Sequence, residues 1–525
     1  MNYRLLYITI VTLAGFELNV AAQEGAPGKA APQLVVTITI DQLRGECIDA
    51  FMPYFSDGGF RRLMREGITF SNASYNFTPV DAASAVASVY TGTTPYYNKI
   101  IGRWRLDRKT LRPKSITLGD TPQGAADKES PALLCTSTIA DELKIATHGQ
   151  AKVVAIAPDS HEAIFAAGHA ADAAFWIDEA TGKWTSSDYY NCNADWVASY
   201  NLLNPLKSII VNEEWQQHPS LNAAPPVEGL TAEGVPFCHK FTDSFSIQQY
   251  KSSGLINRHI TKFALQCLVS HTMGLDRQPD LLALTYYAGS MHGQDPAEHQ
   301  AELRDTYVRL DLEIANLIAE CEKKAGMGKM AVMVTGTGYT TQTWNDYAKF
   351  RVPTGEFNMP RTANILNMYY GAIWGQGGYV DATFGNQIFL NHKLLESRKI
   401  SLAEASRRAQ EFLATISGVR NVYSAQQLIT DQNVHTMKVR NGMNAQLSGD
   451  IFVEIAPGWK LIDADDKQQA ACNTIANFLF PVIIYGAGTR KQTVSTPVTT
   501  DRIASTLAKM LHIRAPNACT AEPLF

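Results

Sequence analysis

The chain has 525 residues, of which 45% are hydrophobic and 18% are charged. The charged share lies below the typical value of about 25%, which excludes a disordered chain and indicates a well-buried core. The net charge of −4 provides no basic surface for binding nucleic acid. Eight cysteines occur without a CxxC spacing, so the sequence predicts no structural zinc site and fixes no disulfide pairing.

Residues 1–22 have the pattern of a secretory signal peptide. Arg4 is followed by an apolar run from Leu5 to Ala14, and small residues end the segment at Ala22. The run is too short to cross about 30 Å of hydrocarbon. The pattern predicts an exported protein, periplasmic or secreted, with no transmembrane segment in the mature chain. A retained membrane anchor is the alternative.

Short apolar runs rich in β-branched residues predict strands. Most are continuous rather than alternating, as expected of strands covered on both faces of a sheet. They are Leu34–Ile40, Lys152–Ala157, Leu281–Tyr287, Met330–Thr335, Ile451–Ile455 and Pro481–Tyr485. Helical spacing occurs at Phe60–Glu66, Ala82–Thr91, Thr136–Thr147, Arg304–Ala325, Leu402–Ile416 and Thr500–Leu511. The alternation predicts an α/β fold with a doubly wound, mostly parallel sheet and helices on both faces.

The strand and helix rhythm breaks near residues 170–275 and 340–445, where Trp, Tyr, Asn and Pro are frequent. We interpret both stretches as insertions that form a cap on one domain spanning residues 23–525. Asp41 follows the first strand directly, at the carboxyl edge of the sheet, where α/β proteins build their sites. A carboxylate at a strand end also serves simply to accept backbone N–H bonds, and the sequence leaves both roles open.

Nine motifs keep one order along nearly the whole chain. They are Leu34–Arg44, Gly58–Gly67, Tyr90–Pro95, Ala167–His169, Ala174–Asp178, Asp305–Asp311, Pro353–Gly355, Ser448–Asp450 and Pro516–Thr520. Together they resemble the alkaline phosphatase superfamily, and more closely its PafA-like bacterial phosphatases and the related type I phosphodiesterases/nucleotide pyrophosphatases. The resemblance implies an alkaline-phosphatase-like fold and phosphate-ester hydrolysis by a Thr or Ser nucleophile between two zinc ions, which clamp the attacking and leaving oxygens.

The resemblance places Asp41 in the slot of the first metal ligand and Ala82 in the slot of the nucleophile. The methyl group of Ala82 has no oxygen to attack phosphorus. Ser84 lies two residues further on, which rotates its side chain by roughly 200° around a helix. Asp41 is therefore interpreted as a vestigial ligand, and rescue of catalysis by Ser84 is left open.

An Asp-x-x-x-His ligand pair is expected after the strand Leu281–Tyr287. In the ungapped register Ser290 and Gln294 occupy its two slots. A shift of two residues would make His292 a ligand but would put Ala288 in the Asp slot. His292 is thus a weak metal-ligand candidate, and a hydrogen-bonded or solvent-facing loop histidine is the alternative.

Three further ligand slots are altered. Thr337 and Gly338 stand where the resemblance implies an Asp-His pair, and Leu479 stands where it implies the last His. Hydroxyl and aliphatic groups do not hold zinc strongly. The apolar side chain of Leu479 predicts that the metal cavity is filled.

The groups that would clamp a phosphate are altered as well. The expected Lys-x-Arg pair matches Asp159-Ser-His161, which replaces two cations by a carboxylate and an imidazole. Arg103, or its neighbour Trp104, stands where an Asn is expected. Arg103 remains a weak candidate for binding an anion, and a surface cation beside an aromatic ring is the alternative.

The leading hypothesis is an exported pseudophosphatase that has lost phosphate-ester hydrolysis, needs no cofactor, and binds a small molecule or an envelope protein. The segment from Trp344 to Tyr379 could supply a recognition surface or simply pack as cap. The alternative is an active phosphomonoesterase or phosphodiesterase with a rebuilt zinc site. Its candidate residues are Asp41, His161, His292, Asp295 and His299. A purely structural partner in an envelope complex is a third possibility.

Overall fold

The computed structural model of the protein describes most of the chain. The described residues are 31–119, 129–190, 192, 195–221, 237–242, 245–291, 299–326, 328–340, 350–463 and 478–525. Residues 31–525 belong to one compact unit. In the described ranges, no helix combines the length and apolar character needed to cross a bilayer.

The strands are numbered in chain order. They are β1 (Leu34–Asp41), β2 (Ile68–Ser74), β3 (Trp104–Asp107), β4 (Arg112–Ser115), β5 (Val153–Ile156), β6 (Ala173–Ile177), β7 (Trp184–Thr185), β8 (Glu214–Gln216), β9 (Cys238–Lys240), β10 (Asp280–Tyr287), β11 (Met330–Gly336), β12 (Gly355–Asn358), β13 (Val380–Phe384), β14 (Gln387–Leu390), β15 (Val419–Ser424), β16 (Ile451–Ile455), β17 (Trp459–Ile462), β18 (Phe480–Gly486), β19 (Gln492–Val494) and β20 (Val498–Thr499).

The α-helices are numbered in the same way. They are α1 (Gly45–Phe51), α2 (Phe60–Glu66), α3 (Ala82–Thr91), α4 (Pro95–Asn98), α5 (Ile139–Ala146), α6 (Ser160–Ala167), α7 (Asp195–Leu203), α8 (Leu206–Asn212), α9 (Ser246–Lys251), α10 (Ile256–Ser270), α11 (Gln300–Ala325), α12 (Met359–Trp374), α13 (His392–Ser397), α14 (Leu402–Leu413), α15 (Ala425–Thr430), α16 (Val434–Asn441) and α17 (Arg502–Leu511).

A large central sheet has the strand order β19-β2-β18-β11-β1-β10-β5-β6-β7, with β20 also paired to β2. Strands β11, β1, β10, β5 and β6 run parallel to one another, whereas β18 and β7 are antiparallel to their neighbours. Every residue of β1, β10 and β11 is buried, because helices cover both faces. The predicted doubly wound, mostly parallel α/β sheet is confirmed.

The register of the central strands positions the site. Asp41, the last residue of β1, pairs with Tyr287 at the end of β10, and Ile40 pairs with Gly336 at the end of β11. Strand β5 ends beside Leu284 of β10. The carboxyl ends of four neighbouring strands therefore meet at one edge, as expected for a parallel sheet.

A second hydrophobic core forms between residues 357 and 461, beneath a four-stranded antiparallel sheet with the order β13-β14-β16-β15. The sequence prediction grouped Ile451–Ile455 with the strands of the central sheet, which is wrong, since β16 belongs to this second sheet. Ile451 and Val453 pack in the second core, while Phe452 packs in a third cluster on the other face. Burial on both faces gave β16 the continuous apolar run of a central strand.

All six predicted helices are present; α2 and α3 have the predicted bounds, and the ends of the other four differ by a few residues. Helix α5 starts at Ile139 rather than Thr136, because Thr138 is its N-cap and accepts a hydrogen bond from the backbone N–H of Asp141. The stretch 170–275 includes β6 and β7 of the central sheet together with α7 to α10. The interpretation of both insertions as a cap stays a prediction.

Candidate functional site at the carboxyl edge of the sheet

Asp41 is buried at the end of β1, and hydroxyl groups surround it. Thr337, which follows β11, donates from Oγ1 to Oδ1 of Asp41 at 2.9 Å. The phenol of Tyr339 donates to Oδ2 of Asp41 at 3.3 Å. Both carboxylate oxygens therefore already have a neutral hydrogen-bond donor.

Thr337 is held in place by the backbone of the first strand. The N–H of Gln42 donates to Oγ1 of Thr337 at 2.8 Å, and the N–H of Thr337 donates to the carbonyl of Ile40. The Gln42 side-chain amide lies 3.4 Å from the phenol of Tyr287, which donates to the carbonyl of Ser290 at 2.6 Å. Asp41 thus sits in a continuous network of neutral polar groups.

This environment changes the ionisation of Asp41. Burial raises the pKa of the carboxyl group to about 6, although the hydrogen bonds from Thr337 and Tyr339 act in the opposite direction. The negative charge of Asp159 raises the pKa further, and the positive charge of Arg103 lowers it. Asp41 changes its charge near neutral pH.

The predicted nucleophile segment forms the start of α3. Ala82 is its first residue and is 7% exposed. Asp81 is the N-cap, and its side chain accepts from the backbone N–H of Ser84 at 2.9 Å. The Ser84 hydroxyl is fully buried and donates to Asp81 Oδ1 at 2.7 Å. Ser84 therefore completes a capping box and does not face the position of Ala82.

The other ligand slots differ from one another in their surroundings. The backbone carbonyl of Ser290 accepts the hydrogen bond from Tyr287 described above, whereas His292 and Gln294 lie outside the described residues. Gly338 has a φ of +64°, and a Cβ atom added there would lie 2.4 Å from the Phe480 ring. A histidine does not fit that slot while Phe480 holds its place, because the clash involves a packed ring.

The prediction that Leu479 fills the metal cavity is wrong. Its side chain is 54% exposed, and only its carbonyl has a structural role, accepting from the N–H of Gly45 at 3.0 Å. The neighbouring Phe480 is fully buried and packs against the ring of Tyr75 with 5.6 Å between centroids. The two aromatic rings, rather than Leu479, wall this side of the pocket.

A second group of ionisable residues lies where the phosphate clamp was expected. We call it the Asp159 cluster; it comprises Arg103, Asp159, His161, Glu162 and Lys251. The ammonium group of Lys251, at the end of α9, contacts Asp159 Oδ1 directly, and the Arg103 guanidinium lies 3.3 Å from Oδ2. Arg103, a predicted anion-binding residue, is thus an ion-pair partner of Asp159 and keeps about half of its side chain exposed.

The electrostatics of the Asp159 cluster follow from burial and these two cations. Burial raises the pKa of Asp159, but Lys251 and Arg103 outweigh it and hold the pKa below its usual range. Burial and the charge of Arg103 lower the pKa of His161 to about 3. Burial and the charges of Asp41 and Asp159 hold the pKa of Glu162 well above its usual range. Asp159 is therefore ionised at neutral pH, and His161 is neutral.

The donor atoms of Asp159, His161 and Glu162 lie within 4.8 Å of one another, so these side chains could hold a metal ion. The clamp motif in the sequence predicts Asp159 and His161 at this place but includes neither Glu162 nor Lys251. Glu162 directly follows His161, and a search for carboxylates beside the clamp motif could have found it. Lys251 carries no local signal, because it lies 92 residues from Asp159 along the chain.

Of the residues proposed for a rebuilt active site, the structure brings Asp41 and His161 to the same edge of the sheet. His292 and Asp295 lie outside the described residues. His299 is the N-cap of α11. Two of the five candidates, Asp41 and His161, therefore lie at this edge. Arg103 and the unpredicted residues Glu162 and Lys251 lie there as well.

The sequence model of the type I phosphodiesterase/nucleotide pyrophosphatase family matches residues 35–477, well over half of the chain. A protein of Myroides odoratus named calcium-transporting ATPase is 26% identical over 554 positions, which cover 100% of this chain and 99% of that protein. Alkaline phosphatase PhoV of Synechococcus elongatus is 26% identical over 515 positions, covering 93% and 91% of the two chains.

The crystal structure of alkaline phosphatase PafA superposes with a TM-score of 0.78 and 22% identity, covering 94% of this chain and 98% of PafA. This likeness shows a shared fold, in agreement with the central sheet described above. The family match and the similarity to alkaline phosphatases agree with the motif resemblance seen in the sequence. The chain belongs to the type I phosphodiesterase/nucleotide pyrophosphatase family and is a PafA-like member of the alkaline phosphatase superfamily.

Proposed function

We propose that this protein is an exported alkaline-phosphatase-like protein that no longer hydrolyses phosphate esters and acts by binding a ligand or partner. The observation that carries the proposal is the environment of Asp41. Its two carboxylate oxygens accept hydrogen bonds from the hydroxyls of Thr337 and Tyr339, at the position where the family holds a zinc ion. Export rests on the signal-peptide pattern of residues 1–22.

The described residues do not fit the family's two-zinc centre. Zinc in proteins is bound by carboxylate, imidazole and thiolate groups. The ligand slots that the structure describes contain one carboxylate, and the other four hold no zinc donor; they are Asp41, Ser290, Thr337, Gly338 and Leu479. A donor larger than hydrogen at Gly338 would collide with Phe480. One carboxylate that already accepts two hydroxyl bonds is a poor zinc site.

The nucleophile is also missing. Ala82 carries a methyl group at the start of α3, and Ser84 is buried in the capping box of the same helix. A hydroxyl that is fully buried and bonded to its own N-cap has no path to a substrate phosphorus. The loss of nucleophile and metal donors together favours loss of hydrolysis over a change of specificity.

Two exposed side chains at the edge of the sheet support a binding function. Arg103 retains about half of its side-chain surface, and the adjacent Trp104 is 41% exposed. An exposed cation beside an exposed aromatic ring is suited to an anionic or planar group. The sheet, the register and the charged edge are those of a ligand-binding cleft.

The test is a zinc titration combined with a hydrolysis assay. The purified protein, with and without added zinc, is assayed on a phosphate monoester and a phosphate diester, alongside Asp41→Asn and with alkaline phosphatase PhoV as the positive control. The expected result is no turnover above that of Asp41→Asn. Zinc-dependent turnover that Asp41→Asn abolishes would overturn the proposal and favour the active phosphoesterase.

A further inference from the structure

We propose that Asp159, His161 and Glu162 form a site for one divalent transition-metal ion, with zinc as the probe of choice. The site goes beyond the proposed function and occupies the former phosphate clamp, not the slots of the family's zinc centre. One imidazole nitrogen and two carboxylate oxygens lie within 4.8 Å of one another. This mixture of donors suits zinc and its first-row neighbours, and three protein ligands leave a position open for water or a ligand.

Two of the three side chains are almost completely buried. His161 and Glu162 are each 3% exposed, and no hydrogen bond joins either side chain to another described residue. Buried polar side chains have a hydrogen-bond partner in the large majority of cases. An ion coordinated by both side chains would be a partner for each of them.

The start of α6 supplies a second observation. Asp159 is its N-cap and Glu162 its third residue, the spacing of a capping box, yet the Asp159 side chain makes no capping bond. The equivalent residues of α5, Thr138 and Asp141, form both bonds of their box. The two carboxyl groups of α6 are therefore turned away from the helix end and toward His161.

The surrounding charges suit a divalent ion. Among the described residues, the carboxyl groups of Asp41, Asp159, Glu162 and Glu179 interact with one another or with the two cations Arg103 and Lys251. When ionised, these four groups carry two more negative charges than the two cations neutralise, and a divalent ion would balance that difference. The carboxylate of Asp159 has about four acceptor positions, so it can keep both ion pairs and still bind a metal.

Lys251 and Arg103 would then act as outer partners that orient the Asp159 ligand. Ligating carboxylates in metal sites are themselves hydrogen-bonded by such partners, which fix their geometry. The Asp159 side chain is 22% exposed, so the pocket has an opening through which an ion can enter.

The test titrates chelator-treated full-length protein with Zn²⁺ alone, measured by competition with a chromophoric chelator and by the rise in Tm that ligand binding produces. Glu162→Gln and His161→Gln remove one ligand each and change side-chain size little. His435→Gln is the matched control, because His435 also contacts a glutamate, Glu454, at 3.1 Å but has no third ligand. Asp41→Asn separates this site from the family's zinc centre.

One zinc per chain is expected. Its affinity should fall in Glu162→Gln and His161→Gln by more than the roughly 10–100-fold typical of losing an outer partner, and stay within a few fold in His435→Gln. Asp41→Asn removes a neighbouring negative charge but no ligand, so it should lower the affinity less than either ligand substitution. An anomalous zinc peak between the three side chains in soaked crystals would locate it.

No saturable zinc binding, or binding that Glu162→Gln leaves unchanged, would overturn the inference and leave the proposed function standing. Two zinc ions that both disappear in Asp41→Asn, together with turnover, would overturn the inference and the proposed function alike.

Discussion

Two aspartates stand at the carboxyl edge of the same sheet, and their surroundings are opposite. Asp41 ends β1 and accepts hydrogen bonds from the neutral hydroxyls of Thr337 and Tyr339. Asp159 follows β5 and forms ion pairs with Lys251 and Arg103. Burial raises the pKa of Asp41 to about 6, whereas the two cations hold the pKa of Asp159 below its usual range.

The comparison shows that position in the fold does not decide what a carboxylate does. Both aspartates occupy the edge where α/β proteins build sites. Neutral donors stabilise a carboxylate less than cations do, so Asp41 loses its charge readily and Asp159 keeps it. At this edge the two cations therefore hold Asp159 in its charged form, whereas the charge of Asp41 depends on pH.

Removing the cation from Asp159 should have the largest effect. Lys251→Met leaves a buried carboxylate with Arg103 as its remaining cation, and breaking a buried ion pair costs about 3–5 kcal/mol of unfolding free energy. The side chain of Lys251 is 6% exposed, so solvent cannot replace the lost charge. Urea denaturation at pH 7 measures the difference.

Lys240→Met is the control for Lys251→Met. Lys240 pairs with Glu214 at 2.8 Å, but its side chain is 65% exposed, and solvent screens such a pair so that it contributes little to stability. Equal effects of the two substitutions would show that Asp159 does not depend on its cation, and the comparison with Asp41 would fail.

Neutralising Asp41 should stabilise the protein in a pH-dependent way. The folded-state pKa of Asp41 is raised to about 6 from 3.8, so the folded protein binds the proton more tightly and stability falls as pH rises from about 4 to 6. Asp41→Asn removes this loss of stability. The unfolding free energy of Asp41→Asn should exceed that of the unsubstituted protein by near zero at pH 4 and by about 3 kcal/mol at pH 7, measured by denaturation at each pH.

Asp49→Asn, on an exposed position of α1, is the control for the general effect of removing a carboxylate from the protein. If Asp41 instead held a metal ion, Asp41→Asn would destabilise the purified protein at pH 7. That result would reverse the sign of the prediction and restore Asp41 as a ligand.

The sequence predicted where the edge of the sheet lies better than it predicted the side-chain contacts formed there. Continuous apolar runs located β1, β10 and β11, and because Asp41 follows the first run its position at the edge could be read directly. The hydroxyl bonds to Asp41 could not, since they depend on the loop after β11 folding back over the edge. The pairing of Asp159 with Lys251 joins α9 to the start of α6, and no local pattern encodes such a long-range contact.

The error at Leu479 has the same origin. A slot identified by resemblance gave the residue type but not the direction of its side chain, and neighbouring residues of a strand point to opposite faces. Leu479 points to solvent, while Phe480 fills the interior. A sequence therefore predicts that a ligand is missing more readily than it predicts what replaces it.

Removing the hydroxyl of Thr337 tests how much its hydrogen bond to Asp41 contributes to stability and to the pKa of Asp41. Thr337→Val deletes the donor to Asp41 and the acceptor of the Gln42 N–H, which should cost about 2 kcal/mol at pH 7. Because that hydrogen bond lowers the pKa of Asp41, its loss should raise the pKa and extend the decline in stability to higher pH. The pH dependence of denaturation measures both effects.

Thr335→Val is a matched control for Thr337→Val. Thr335 lies in β11, is fully buried, and its hydroxyl has no hydrogen-bond partner in the described structure. Replacing an unsatisfied hydroxyl by a methyl group should be neutral or stabilising. A loss of stability as large as that of Thr337→Val would show that the Thr337 side chain stabilises the protein by packing and not by its hydrogen bonds.

The smallest effect should come from the helix that carries the former nucleophile slot. Ser84→Ala breaks one half of the capping box of α3 and should cost about 1 kcal/mol, whereas Ser88→Ala, at a buried and unpartnered hydroxyl of the same helix, should cost less. Neither change should alter any hydrolysis of phosphate esters, because the Ser84 hydroxyl is fully buried and bonded to Asp81. Hydrolysis that Ser84→Ala abolishes and Ser88→Ala preserves would make Ser84 the nucleophile. The structural role of Ser84 predicts instead that only the denaturation midpoint moves.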